Sequence, residues 1–164
     1  GKVLAGPNAI AGEWGHNPLP WADGSERPGP ACYCGQHGCV ETFLSGPGLS
    51  ADFERTTGTV LAADDVVARA ERGDLAADAV LQRYESRLAR ALAAIINVID
   101  PDVIVLGGGM SKTTRLYERV PQLWGAWVFA AGAAGTPVRT RLARAKHGDA
   151  SGVRGAAWLW PNHS

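Results

Sequence analysis

From Ala79 to Ile99, apolar residues return every three or four positions: Leu81, Tyr84, Leu88, Leu92, Ile95 and Ile99, with Gln82, Arg83, Glu85, Arg87 and Arg90 between them. That period predicts an amphipathic helix with one face on a core. Pro101 ends it, because proline disfavours a helical Asp100 and has no N–H to donate. Val103 to Leu106 form an apolar run without alternation, which predicts a strand covered on both faces by helices. Gly107 to Gly109 then make a turn, and Ser111 caps a helix from about Lys112. Further elements are a helix holding Leu123 and Trp124, a short strand near "PVRTRL" (137–142) and a final helix in "SGVRGAAWLW" (151–160), where Asp149 and Ser151 are candidate caps. Upstream, Asp64 or Asp65 caps a helix running through Arg72 to a stop at Gly73. Residues 40–58 read as short helical pieces broken at Gly46 to Gly48, and "GKVLAG" (1–6) as the return strand of a hairpin. The order is α/β.

Between Pro18 and Gly38 the pattern fails. Glycine and proline recur with no usable period, so a long turn-filled loop is expected, and such a loop needs a tether. Composition narrows what this chain does. With 46% hydrophobic and 20% charged residues among 164, it reads as one globular domain. Its 16 basic and 16 acidic residues cancel, which argues against nucleic acid or a charged membrane as partner and favours a small molecule. No run approaches the roughly 20 apolar residues of a membrane span, and the start lacks the blocks of a signal peptide, so a cytoplasmic protein is expected.

The chemistry is concentrated in the loop. Cys32, Cys34 and Cys39 are all the cysteines of the chain, and their odd number and tight clustering point to a metal rather than to disulfides. The spacing C-x-C-x4-C lets three thiolates converge around a turn supplied by Gly35 and Gly38. A structural zinc site takes four ligands, and the candidates for the fourth are His16, His37, His147 and His163. His16 closes the unsupported loop on itself and is preferred; His37, inside the cluster, is the rival. With His16, Cys32, Cys34 and Cys39 the tetrahedron is full, so the Zn2+ has an architectural role.

At these residues the sequence resembles a known family. "GEWGH" (12–16), fifteen further residues, "CYCGQHGCVET" (32–42) and "SGPGL" (45–49) are similar to the zinc-bearing signature of the ROK sugar kinases and repressors. "NPLPW", "NVIDPDVIVLGGGMS", "PQLW", "TPVR" and "KHGDASGVRGAAWLWP" extend the likeness almost end to end, with wording like that of the fructokinase, or manno(fructo)kinase, branch. The resemblance implies the C-terminal lobe of an actin-like (RNase H-like) ATPase fold carrying a zinc-bound loop, over residues 1–164. It implies that Glu13, His16 and Glu41 hold sugar hydroxyls, and that Gly107, Gly108 and Gly109 face the adenosine side of ATP. Read without the family, Glu13 and Glu41 are ordinary surface carboxylates, and the three glycines are as well explained by a tight turn. The spacing of a P-loop is absent around Lys112.

The family's D-x-G-G-T phosphate loop and catalytic Asp have no counterpart in this chain, so no catalytic residue is assigned and the chain alone is expected to be inactive. The expected activity of the full-length protein, a homodimer, is transfer of the terminal phosphoryl group of ATP, with Mg2+, to a hexose. Fructose is preferred, giving fructose 6-phosphate, with mannose or glucose as other substrates. The alternatives are a sugar-responsive repressor of the same family and a free-standing zinc-stabilised sugar-binding module. Of the six tryptophans, Trp124, Trp127, Trp158 and Trp160 read as packing residues, while Trp14 and Trp21 flank the site.

Overall fold

The periodic segment folds as a helix from Leu75 to Ile99, starting earlier than the expected Ala79. Asp74 sets the start. Its carboxylate accepts from the backbone N–H groups of Ala76 and Ala77 at 2.9 and 3.1 Å, satisfying two donors that have no partner inside the helix. Before Pro101 the helix ends at Asp100, which turns left-handed at φ 48° while its N–H closes on the Ile96 carbonyl. The computed structural model describes residues 4–129 and 136–157. In it this helix is the fourth in the order α1 (Val40–Phe43), α2 (Gly46–Thr57), α3 (Ala63–Glu71), α4 (Leu75–Ile99), β1 (Val103–Leu106), α5 (Leu116–Trp124), β2 (Arg141–Arg144) and α6 (Ser151–Ala157).

α4 is the axis of the core, with α2, α3 and α5 packed around it. Leu49 and Phe53 from α2, Val66 from α3, and Leu116, Val120 and Trp124 from α5 close on its apolar stripe, each at most 2% exposed. The polar positions of α4 are not a wet face, however. Glu85, Arg87 and Arg90 are 1%, 4% and 5% exposed. Arg115, just before α5, pairs with Glu85, and the 18–38 loop lies over the two arginines, so α4 is buried on more sides than its period implies.

β1 occupies its expected residues and pairs in parallel with β2, from Val103 opposite Arg141 to Leu106 opposite Arg144. Its expected burial on both faces is not observed. Ile104 and Leu106 pack on the core, but Val103 and Val105 are 38% and 56% exposed, because among the described residues nothing covers that second face.

Several boundaries move for local reasons. Ala62, not Asp64 or Asp65, is the N-cap of α3, and the two carboxylates lie in its first turn, where they face the positive end of the helix dipole. Gly46 to Gly48 do not break a helix but open α2, whose first turn is capped by Ser45 accepting from the Gly48 N–H at 3.1 Å. Ser111 caps nothing downstream: it sits in a 3-10 turn, Gly109–Lys112, with its hydroxyl donating back to the Gly108 carbonyl at 2.6 Å. Ser151 is the first residue of α6 rather than its cap. Residues 4–6 belong to no regular element. Residues 1–3 of the proposed hairpin strand, together with Trp158, Trp160 and His163, lie outside the described residues. No described helix is long and apolar enough to cross a membrane.

Candidate functional site

The two ends of the loop are stitched together by backbone. Leu19 N–H donates to the Gly38 carbonyl and Val40 N–H to the Asn17 carbonyl, both at 2.9 Å, forming an antiparallel bridge between Pro18 and Cys39. His16 thereby lands beside Cys39. A second bridge, Ala31 to His37, folds Cys32 to Gln36 into a turn in which Cys32 N–H donates to the Gln36 carbonyl at 2.8 Å. Gly35 and Gly38 supply this turn as expected, at φ 88° and 71°. Gly38 also meets Gly29 closely enough that a Cβ on Gly38 would lie 2.8 Å from the Pro28 carbonyl oxygen.

His16, Cys32, Cys34 and Cys39 present one ligand atom each, all within 4.8 Å of one another. His16 Nδ1 is 3.5 Å from Cys32 Sγ, and Cys34 Sγ is 3.6 Å from Cys39 Sγ. Tetrahedral zinc with bonds of roughly 2.0–2.3 Å separates its ligand atoms by about 3.5–3.8 Å, so this donor set fits the ion in number, type and spacing. His37 is exposed in the bridge and is not part of the group, and His147 is exposed at the far end of the chain. The thiols are electrostatically unequal. Cys34 is lowered to about 7, chiefly by the Gln36 N–H directed at its sulfur, whereas burial and the neighbouring thiols push Cys39 up to about 12. A dication that takes the place of their protons reverses the penalty on Cys39.

With Nδ1 turned to the thiols, the other ring nitrogen of His16 faces outward. Nε2 lies 2.8 Å from the Tyr33 hydroxyl and 3.8 Å from a Glu13 carboxylate oxygen. Glu41, in the single turn of α1 that follows Cys39, places its carboxylate 4.0 Å from His16 Nδ1 and 3.6 Å from Cys32 Sγ. The three residues expected to hold sugar hydroxyls, Glu13, His16 and Glu41, thus share one locus. Gly15 lies against Glu41, where a Cβ would stand 3.4 Å from the Glu41 Cβ. Trp14 anchors the turn by packing against both apolar clusters of the fold.

Glu41 and Tyr33 border a cavity of about 480 Å³ that continues along Thr42, Ser45 and Pro47. A second cavity, about 410 Å³, is lined by Gly107, Gly108 and Gly109 with Leu44, Pro47 and Asp64. Ser45 and Pro47 border both, so the start of α2 is the partition between them.

The loop has a second tether that the apolar pattern does not reveal. Glu26 is 6% exposed and accepts from Arg87 Nε at 2.8 Å and from Arg90 Nη2 and Nη1 at 2.7 and 2.9 Å. Arg87 continues to Asp52 at 2.6 Å, where Arg83 and Arg55 also bind. Burial raises the pKa values of Glu26 and Asp52, but the bonds from these guanidinium groups outweigh it and hold both carboxyls below their ordinary range. Two sequence signals point there: the capping box Asp23-x-x-Glu26, formed in full, and the arginine stripe 83, 87, 90 at helical spacing. Trp21 leaves the sugar locus and meets Trp127 at a 38° tilt, 5.2 Å between ring centroids.

The chain is similar to several known proteins. The ROK family model matches residues 1–163. N-acetyl-D-glucosamine kinase of Escherichia coli O1:K1 / APEC is 40% identical over 167 residues, covering 97% of this chain and 52% of the kinase. The ROK hexokinase of Thermus thermophilus superposes with a TM-score of 0.76 at 28% identity, over 97% of this chain and 50% of that one. A ROK glucokinase from Streptomyces griseus, solved with glucose and AMPPNP, gives 0.76 at 23% identity over 92% and 51%. The chain spans about half the length of the curated relatives it matches.

Proposed function

The chain belongs to the ROK family, with the actin-like fold expected from its sequence, and from that premise we propose that it is the C-terminal lobe of an ATP-dependent sugar kinase. The observation that carries the reading is the convergence of Glu13, His16 and Glu41 on one Cys3His cluster, beside a cavity that shares a wall with the one at Gly107 to Gly109.

The chemistry of each group follows from its position. Carboxylates at 13 and 41 offer paired acceptors to vicinal hydroxyl donors, the pattern by which sugars are told apart. His16, coordinated through Nδ1, presents Nε2–H as a fixed donor to a sugar oxygen. His16, Cys32, Cys34 and Cys39 would hold a zinc ion, which would serve as an architectural tie for the loop. The second cavity takes the adenosine end of ATP against the bare backbone of Gly107 to Gly109, where missing side chains let the nucleotide approach. Mg2+ on the phosphates and a base for the sugar hydroxyl complete phosphoryl transfer; the base comes from the other lobe, so this chain alone is inactive.

The substrate is a hexose or N-acetylhexosamine. The 40% identity to N-acetyl-D-glucosamine kinase supports N-acetylglucosamine ahead of the fructose suggested by "NPLPW", which none of these relatives supports. The test is sugar-dependent ADP release by the complete protein with ATP and Mg2+, over N-acetylglucosamine, glucose, mannose and fructose. Turnover of one of the first two carries the reading. Sugar binding with no turnover on any of the four refutes it in favour of a sugar-responsive repressor.

A further inference from the structure

We propose that Tyr33 is a built-in competitor for the sugar: its hydroxyl occupies the His16 ring nitrogen that a substrate hydroxyl takes, so binding requires the tyrosine to swing out. The inference rests on the sugar-site reading of Glu13, His16 and Glu41. Three observations carry it. First, the Tyr33 hydroxyl lies 2.8 Å from His16 Nε2, in full hydrogen-bond contact, while the Glu13 carboxylate stands off at 3.8 Å. The imidazole has one outward nitrogen, because Nδ1 is directed at the thiols, and an N–H donates one strong bond at a time. A sugar oxygen and the tyrosine oxygen therefore exclude each other.

Second, the side chain is free to leave. Tyr33 is 85% exposed, and its ring makes an edge contact with the same imidazole at 5.0 Å between centroids. Its release uncovers no core. Third, it is placed correctly: Tyr33 lines the 480 Å³ cavity together with Glu41 while its hydroxyl reaches His16, so its side chain stands between that cavity and the imidazole. Its place between two metal ligands, Cys32 and Cys34, fixes its backbone whatever its side chain does. Tyr33 is thus a specificity-determining residue. A sugar that forms strong bonds to Glu13, His16 and Glu41 together displaces it, and one that engages a single partner does not.

The complete, metal-loaded protein and its Tyr33→Phe and Tyr33→Ala variants are compared by calorimetric titration with N-acetylglucosamine and glucose in the absence of ATP, and by steady-state kinetics. Removing a neutral hydrogen bond that must be broken on binding is expected to tighten sugar binding by about 2- to 10-fold. KM for the sugar falls in parallel, KM for ATP is unchanged, and zinc content stays at the wild-type level. Tyr33→Ala tightens binding at least as far as Tyr33→Phe, since it removes the ring too. Unchanged or weaker sugar binding in Tyr33→Phe overturns the proposal, because the hydroxyl is then idle or clasps the sugar. Loss of zinc from either variant overturns it as well, by making the tyrosine part of the loop's frame. Failure of the wild-type protein to bind any sugar is a different result, and strikes the sugar-site reading itself.

Discussion

Replacing Glu26 by glutamine tests whether the loop that carries the cysteines is held by charge as well as by metal. The carboxylate fills four acceptor positions, to Arg87 Nε, to two nitrogens of Arg90 and to the Asp23 N–H at 3.1 Å. An amide keeps the volume but turns one oxygen into a donor facing donors. Arg87 retains Asp52. Among the described residues, the other hydrogen-bond partners of Arg90 are the carbonyls of Pro20 and Trp21, at 3.3 and 2.7 Å. A buried guanidinium stripped of its carboxylate costs about 3–5 kcal/mol. Because one of the two arginines keeps a carboxylate, a loss of about 3 kcal/mol is expected, a large share of the roughly 5–15 kcal/mol that stabilises a domain.

The assay is urea unfolding of the complete protein with zinc bound, followed by far-ultraviolet circular dichroism and by tryptophan fluorescence, to which the Trp21–Trp127 contact reports from the loop itself. Amide exchange at Cys32 and Gly38, whose N–H groups close the loop, is expected to accelerate. A double-mutant cycle with Arg90→Leu gives a coupling above about 1 kcal/mol if the pair acts as one unit. A single-variant loss below about 1 kcal/mol, or additive effects, would refute the idea of a charge tether.

Other consequences follow from the same geometry. Glu26 and Asp52 have pKa values lowered on folding, so their contribution to stability is complete above the unfolded values near pH 4 and lost as pH falls through the lowered folded values. Unfolding free energies measured between pH 7 and pH 3 should therefore drop more steeply in the wild type than in Asp52→Asn. Gly38→Ala combines a left-handed φ of 71° with a Cβ 2.8 Å from a carbonyl oxygen and is expected to cost at least ~2 kcal/mol, visible as a lower melting temperature and faster zinc release to a chromogenic chelator. Elemental analysis should find one zinc per chain. Its removal should weaken sugar binding, because His16 loses its fixed tautomer and Glu41 the anchored turn before it; a chelated protein that stays folded and binds sugar unchanged would contradict this.

What the sequence determined by itself were features that depend on neighbours along the chain. The period of Leu81 to Ile99, the stop at Pro101, the apolar strand at Val103 and the clustered cysteines are local patterns, and each appears in the structure where the pattern puts it. The family signature carried the fold further than periodicity could, while the need to tether an aperiodic loop set His16 above His37. The tertiary structure decided what depends on who lies opposite. The Arg83, Arg87 and Arg90 stripe reads as a solvent face on an isolated helix. Arg87 and Arg90 become interior only because a loop some sixty residues upstream lays Glu26 on them, and no local pattern encodes which carboxylate pairs with them. Likewise the pairing of Tyr33 with His16 and the shared wall between the two cavities exist only once backbone bridges have folded residues 16–19 against 38–40. Side chains that meet through space are selected by geometry, and one-dimensional spacing records geometry only over a few turns.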